Sequence, residues 1–255
     1  MKIHLISDLH VEHGVYDPIF PDDADVILVA GDVGYYVTAM TWLEEANQRS
    51  NKPVIFVPGN HEFYDANLFY VRDEFERHSK QHGYEYLDNK SVVINGVKFI
   101  GATYWTDMRF KNWDGLNTVR APQMMNDYVY IAGNYGPLDV KEVLFEHKQS
   151  YDFVKAELSE PFDGKKVVIT HHAPSEHSWT GDFNNYTPYY VSNDEGMILD
   201  LQPDLWVHGH VHKTKRYNLG KTLVATNPRG RWTKPDRNPM FDPLFIIDLE
   251  KTENE

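Results

Sequence analysis

"KIHLISDLH" (residues 2–10) runs a β-branched apolar stretch straight into Asp-x-His. The run 2–7 reads as a strand. If the extended geometry persists beyond it, positions two apart face one side, so Asp8 and His10 converge on one ion. The same construction recurs downstream. Gly31-Asp32 follows the run 25–30, Gly59-Asn60-His61-Glu62 follows 53–58, and His171-His172-Ala173-Pro174 follows the run beginning at 166. "WVHGHVH" (206–212) sets His208, His210 and His212 at alternate positions where the run 205–209 ends. Each piece alone has an ordinary reading, as a capped turn, a left-handed Asn turn or a buried, hydrogen-bonded histidine. Together, each after an apolar strand, they point to a metal site at the carboxyl ends of strands, where open α/β sheets collect ligands.

Composition narrows the chemistry. The 255 residues are 41% apolar and 25% charged, ordinary for a folded protein, and include no cysteine. Disulfides and thiolate ligands are excluded. A donor set of carboxylate, amide oxygen and imidazole suits a divalent ion such as Mn, Fe, Co, Ni or Zn. The net charge of −13 disfavours extended nucleic-acid binding but not a small phosphate ester. No stretch approaches a membrane span, and Asp8 interrupts the N-terminal apolar run, so no signal peptide is expected and the expected compartment is the cytoplasm.

Helical patterns cover 36–50, 67–82 and 140–158. Hairpins are expected over 91–103, turning at Asn95-Gly96, and over 214–226, turning near Gly220, with a last strand at 244–249. The order predicts an α/β chain forming a single domain over 1–255, with sheets face to face and helices outside. Residues 104–139 and 175–194 carry aromatics without clean periodicity. They are expected to be ordered pocket walls, with Trp105, Trp113, Trp179, Tyr186, Tyr189 and Tyr190 available to stack on a nucleobase.

Asp8-x-His10, Gly31-Asp32, Gly59-Asn60-His61-Glu62, His172-x-Pro174 and Gly209-His210-x-His212 resemble the signature of the calcineurin-like metallophosphoesterases, in their small bacterial or phage form. The resemblance implies a four-layer αββα sandwich of mixed sheets flanked by helices, holding two divalent metal ions. It assigns Asp8, His10 and His212 to one metal, Asn60, His172 and His210 to the other, and Asp32 to a bridge. His172 is preferred because it precedes x-Pro, with His171 in reserve; His208 has no ligand counterpart and is expected to be structural. His61 is the implied general acid, and Glu62 would orient it or a neighbouring ligand. The implied reaction is hydrolysis of a phosphodiester or phosphomonoester of a small phosphorylated molecule, a nucleotide first, by a metal-bridging hydroxide.

Val33-Gly34-Tyr35-Tyr36 supplies no arginine after Gly31-Asp32, which departs from the protein Ser/Thr phosphatases of that superfamily. Arg229 and Arg109 are therefore the candidate phosphate grips, and Trp105 a candidate substrate contact. Two other readings are a nuclease on short oligonucleotides, using Lys213, Lys215 and Arg216, and a catalytically silent scaffold, which the full ligand set opposes.

Overall fold

Strand residues alternate between faces, and here both faces of the central strands are covered. The computed structural model describes residues 1–110 and 115–251. Along the chain run β1 (Lys2–Ile6), β2 (Val26–Ala30), α1 (Tyr36–Ser50), β3 (Val54–Val57), β4 (Ala66–Asn67), α2 (Leu68–His82) and β5 (Glu85–Tyr86). Next come β6 (Lys90–Ile94), β7 (Val97–Ala102), α3 (Leu116–Met124), α4 (Asp127–Tyr130), β8 (Ile131–Ala132) and α5 (Val140–Ser159). The last are β9 (Lys165–Thr170), α6 (Glu195–Leu201), β10 (Leu205–Val207), β11 (Lys215–Leu219), β12 (Thr222–Thr226) and β13 (Ile246–Asp248).

A 5-stranded sheet has the order β13-β1-β2-β3-β5, and a 6-stranded sheet the order β11-β12-β10-β9-β7-β6. In each, the inner strands are parallel; antiparallel β13 closes one edge of the first sheet and parallel β5 the other, while antiparallel β11 and β6 close both edges of the second. Ile3, Leu5, Leu28 and Ile55 of the first sheet pack against Phe99, Val167, Leu205 and Leu223 of the second. The alternate residues Ile27, Val29 and Phe56 pack on Leu43 of α1 and Phe75 of α2. On the far side Ile100, Val168, Trp206 and Val224 meet Val154 of α5 and Ile198 of α6. The architecture is thus helix, sheet, sheet, helix, the expected four-layer sandwich. No helix among the described residues is long and apolar enough to cross a membrane.

Local chemistry fixes the element ends. The Asn67 side chain accepts from the Phe69 and Tyr70 N–H groups and so caps α2, which Gly83 ends at φ 81°. Asp139 and Glu142 form a capping box on α5. Asn95 and Gly96 both take positive φ, as a two-residue hairpin turn requires. The stretch 104–139 is more regular than its sequence suggests, holding α3, α4 and β8, which pairs with β4. Its pattern is hidden because α3 buries Ala121 alone and contains Pro122, leaving no apolar stripe to read.

Phe99 lies fully buried between the sheets. Phe99→Ala is expected to lower the unfolding free energy by about 3–5 kcal/mol. Val93→Ala, on the exposed side of β6, should change it by less than about 0.5 kcal/mol. Urea denaturation of the two variants checks the layer assignment.

Candidate metal centre

The parallel strands end on one edge of the sandwich, and their loops cross-link there. The N–H groups of Asp8 and His10 donate to the carbonyls of Gly31 (2.9 Å) and Asp32 (3.0 Å), and Gly209 N–H donates to the His171 carbonyl (2.9 Å). His210 N–H donates to Asp8 Oδ1 at 2.9 Å, tying the two sheets together. The sequence predicts that Asp8 and His10 continue the extended strand, and they do not. Both are left-handed, at φ 51° and 43°, as are Asp32, His210 and His212. Two left-handed residues, not strand alternation, turn Asp8 and His10 onto one point. Glycine is needed where backbone meets carboxylate: a Cβ on Gly59 would lie 2.2 Å from Asp32 Oδ1.

Two groups of donors share Asp32. In the first, His212 Nε2 lies 3.0 Å from His10 Nε2 and 3.2 Å from Asp8 Oδ1, and His10 Nε2 lies 3.6 Å from Asp32 Oδ2. In the second, His171 Nε2 lies 3.4 Å from Asp32 Oδ1, 3.2 Å from Asn60 Oδ1 and 3.1 Å from His210 Nδ1. Surrounding acceptors set the rings. His10 Nδ1 donates to Glu12 (3.0 Å), His171 Nδ1 to the Ala30 carbonyl (2.9 Å), and His212 Nδ1 to Asp236 (3.0 Å). Each proton held there leaves a lone pair on the inward nitrogen, the arrangement a metal ligand needs. Asn60 Nδ2 donates to Asp127 at 2.8 Å, which turns its oxygen inward.

The electrostatics call for a cation. Asp8 and Asp32 are buried, and Asp8 Oδ2 has no hydrogen-bond partner. Burial raises the Asp32 carboxyl, but the His171 and His61 imidazoles outweigh it and hold Asp32 well below the usual range. Burial likewise lowers His171 and His212, yet Asp32 and Asp8 carry His171 up to about 10, and Asp236 and Asp8 carry His212 up to about 9. Facing lone pairs beside buried carboxylates are stable with protons or with a cation between them. The donor set therefore fits divalent metal.

Several expected residues sit elsewhere. His171, not the expected His172, enters the donor group. His172 Nδ1 is tied to the Thr103 carbonyl at 3.2 Å, and its ring packs 5.1 Å from Trp105. Of the two roles expected for Glu62, the structure has it holding the loop of a neighbouring donor, Asp32, rather than His61. Buried, it accepts from the N–H groups of Asp32 (2.9 Å), Val33 (2.7 Å), Gly34 (3.4 Å) and Gly59 (2.6 Å), clamping the loops after β2 and β3. His61 is held instead by Glu12, 3.2 Å from its Nδ1, and by stacking on Tyr64. Arg229 is not a phosphate grip: its guanidinium donates to the carbonyls of Leu9, Gly14 and Val15, bracing the loop after β1. Trp105 is core, 2% exposed. Arg109 lines a separate cavity with His147, Tyr151 and Asp194. His208 bonds Ser178 at 2.7 Å and is structural. Trp113 lies outside the described residues.

A cavity of about 590 Å³ opens over the centre, lined by Asp32, Asn60, His61, His210 and His212. Its walls include Met124 and Met125 from one aromatic-rich segment and Trp179, Tyr186 and Tyr190 from the other, with Tyr189 buried behind in the core. Lys213 and Arg231 supply its positive charge; Arg231 Nε donates to Asp236 at 2.7 Å. Sequence reasoning missed Glu12, Asp127, Asp236 and Arg231. Glu12 alone left a local trace, two residues beyond His10.

A family model described as calcineurin-like phosphoesterase matches residues 1–214. An uncharacterized protein of Acanthamoeba polyphaga mimivirus is 23% identical over 283 residues, covering 98% of this chain and 97% of that protein. The phosphopantetheinyl hydrolase of Mycobacterium tuberculosis has a similar structure, with a TM-score of 0.71 at 16% identity over 96% of this chain and 97% of that one. A dimetal phosphatase of Danio rerio is also similar, with a TM-score of 0.53 at 13% identity over 92% of this chain and 89% of that one. At such identities the likeness is one of fold.

The Glu62 clamp makes a direct prediction. Glu62→Gln turns one acceptor oxygen into a donor facing backbone N–H groups. It should cost about 1.5–3 kcal/mol of unfolding free energy, measured by denaturation in the presence of a chelator.

Proposed function

The chain belongs to the calcineurin-like phosphoesterases and is a metal-dependent phosphoester hydrolase; from that premise we propose that it uses a binuclear centre to hydrolyse a small phosphorylated molecule. The carrying observation is Asp32, whose two oxygens face separate groups, Oδ2 towards His10 and Oδ1 towards His171. In this reading Asp8, His10, Asp32 and His212 hold one divalent ion, and Asp32, Asn60, His171 and His210 the other. Bound there, such ions lower the pKa of a water and neutralise charge on a phosphoryl group.

The surrounding side chains do the rest. His61 borders the cavity, with Nδ1 on Glu12 and Nε2 4.0 Å from Asp32. Burial lowers its pKa, but Asp32 and Glu12 raise it above the ordinary value. That direction favours the imidazolium, the form a general acid donating to the leaving alkoxide must take. Arg231 and Lys213 replace Arg229 and Arg109 as the phosphate grips. Trp179, Tyr186 and Tyr190 offer rings for a nucleobase, so a nucleotide ester, in the cytoplasm, is the first candidate. The phosphopantetheinyl group named for the mycobacterial neighbour is the second probe.

Metal-stripped protein, reloaded in turn with Mn, Co, Ni or Zn, is assayed on paired chromogenic mono- and diesters, nucleotides and a phosphopantetheinyl ester. Activity should vanish on chelation and return with metal. His171→Asn should abolish activity and lose bound metal, whereas His172→Asn keeps both; the opposite result would reverse the ligand assignment. Glu12→Gln should lower activity about 10–100-fold, as outer partners of metal-bound histidines do. Arg231→Ala should raise KM by about 10-fold or more, from the loss of a charged hydrogen bond to phosphate.

A further inference from the structure

A second set of metal-ligating side chains sits on the outer helices, away from the strand-end centre. His78 and His82 are four residues apart on α2 and therefore share one face; their rings stack 4.1 Å apart at 25°. Glu44 reaches them from α1, with Oε1 3.2 Å from His82 Nδ1 and Oε2 3.9 Å from His78 Nε2. The donor atoms of all three lie within 4.8 Å of one another. Ligand atoms about 2.0–2.2 Å from a common ion lie closer together than that, and small rotations of these half-buried side chains close the gap.

The His78 ring and the Glu44 carboxylate already have orienting partners, as metal ligands usually do, and the His82 backbone is tied to α1. The Tyr84 hydroxyl lies 3.1 Å from His78 Nδ1, Gln48 Nε2 donates to Glu44 Oε1 at 3.1 Å, and Asn47 Nδ2 donates to the His82 carbonyl at 2.9 Å. His82 is also the last residue of α2, before the Gly83 cap, so the negative end of the helix dipole adds to the attraction for a cation. Two imidazoles and one carboxylate favour Zn, Ni or Cu over Mg or Ca.

We propose that Glu44, His78 and His82 form a further metal site that takes a divalent ion of the zinc class and clips α1 to α2. Three protein ligands leave one position open to water. The clip would stiffen the helix layer that covers the outer face of the first sheet. Because folding is what brings Glu44 on α1 to the two histidines of α2, an ion held by all three favours the folded chain by mass action.

The test is Zn²⁺ equilibrium dialysis of the metal-stripped full chain, read by elemental analysis. It compares wild type, His82→Gln, Asp32→Ala and the double variant. His82→Gln should bind one ion fewer per chain than its parent in both backgrounds and keep the wild-type hydrolysis rate after Mn reloading. The Zn²⁺-dependent rise in Tm that remains in Asp32→Ala should disappear in the double variant. Equal ion counts with and without His82, in both backgrounds, overturn the proposal. An error in the strand-end assignment shows separately, as an unchanged count in Asp32→Ala. Should His82→Gln fail to fold by circular dichroism in chelator, Glu44→Gln decides: loss of the same ion supports the site, and an unchanged count overturns it.

Discussion

The Glu62 carboxylate is buried and takes its hydrogen bonds from backbone N–H groups of Asp32, Val33, Gly34 and Gly59. Burial and the neighbouring Asp32 push the Glu62 pKa up to about 8; a buried carboxyl without such donors is costly, so these bonds hold only while both loops keep their shape. That mutual requirement sets Asp32 against Asn60 and His61. It positions the shared carboxylate on which both donor groups depend, although Glu62 itself faces none of the donors.

The surrounding backbone is strained in a consistent way. Asp8, His10, Asp32, His210 and His212 all take left-handed φ, at roughly 1–2 kcal/mol each for a residue with a Cβ. Long-range ties hold them there: His210 N–H on Asp8, and Gly230 N–H on the Asp8 carbonyl beside the Arg229 brace. The sandwich makes this affordable, since the buried apolar layer between the sheets fixes the relative height of the strand ends. Side-chain donors from both sheets then meet without a flexible linker between them.

Asp236 joins the two parts of the site. One oxygen accepts from His212 and from Arg231, so the carboxylate that orients a donor also aims a cation across the cavity mouth. The aromatic-rich segments complete the enclosure, and His208 anchors one of them through Ser178, whose hydroxyl also meets Tyr217. Polar residues placed for binding and residues placed for folding are therefore the same network seen from two sides.

Much of this was legible in the chain. The apolar strand runs, the helical spans and the Asn95-Gly96 turn are local, because backbone geometry and near-neighbour hydrogen bonds decide them. The order of Asp, Asn and His after apolar strands also marked where the donors gather. The tertiary structure alone decided which of two adjacent histidines points inward: the Ala30 carbonyl takes His171 Nδ1, while the Thr103 carbonyl takes His172 Nδ1. It likewise made Arg229 a brace and left Arg231 in the cavity, and gave Glu12, Asp127 and Asp236 their roles. Asp127 acts on Asn60 from 67 residues away. A side chain's direction at such a site is set by partners that only the packing of the two sheets brings near, and no local pattern carries that information.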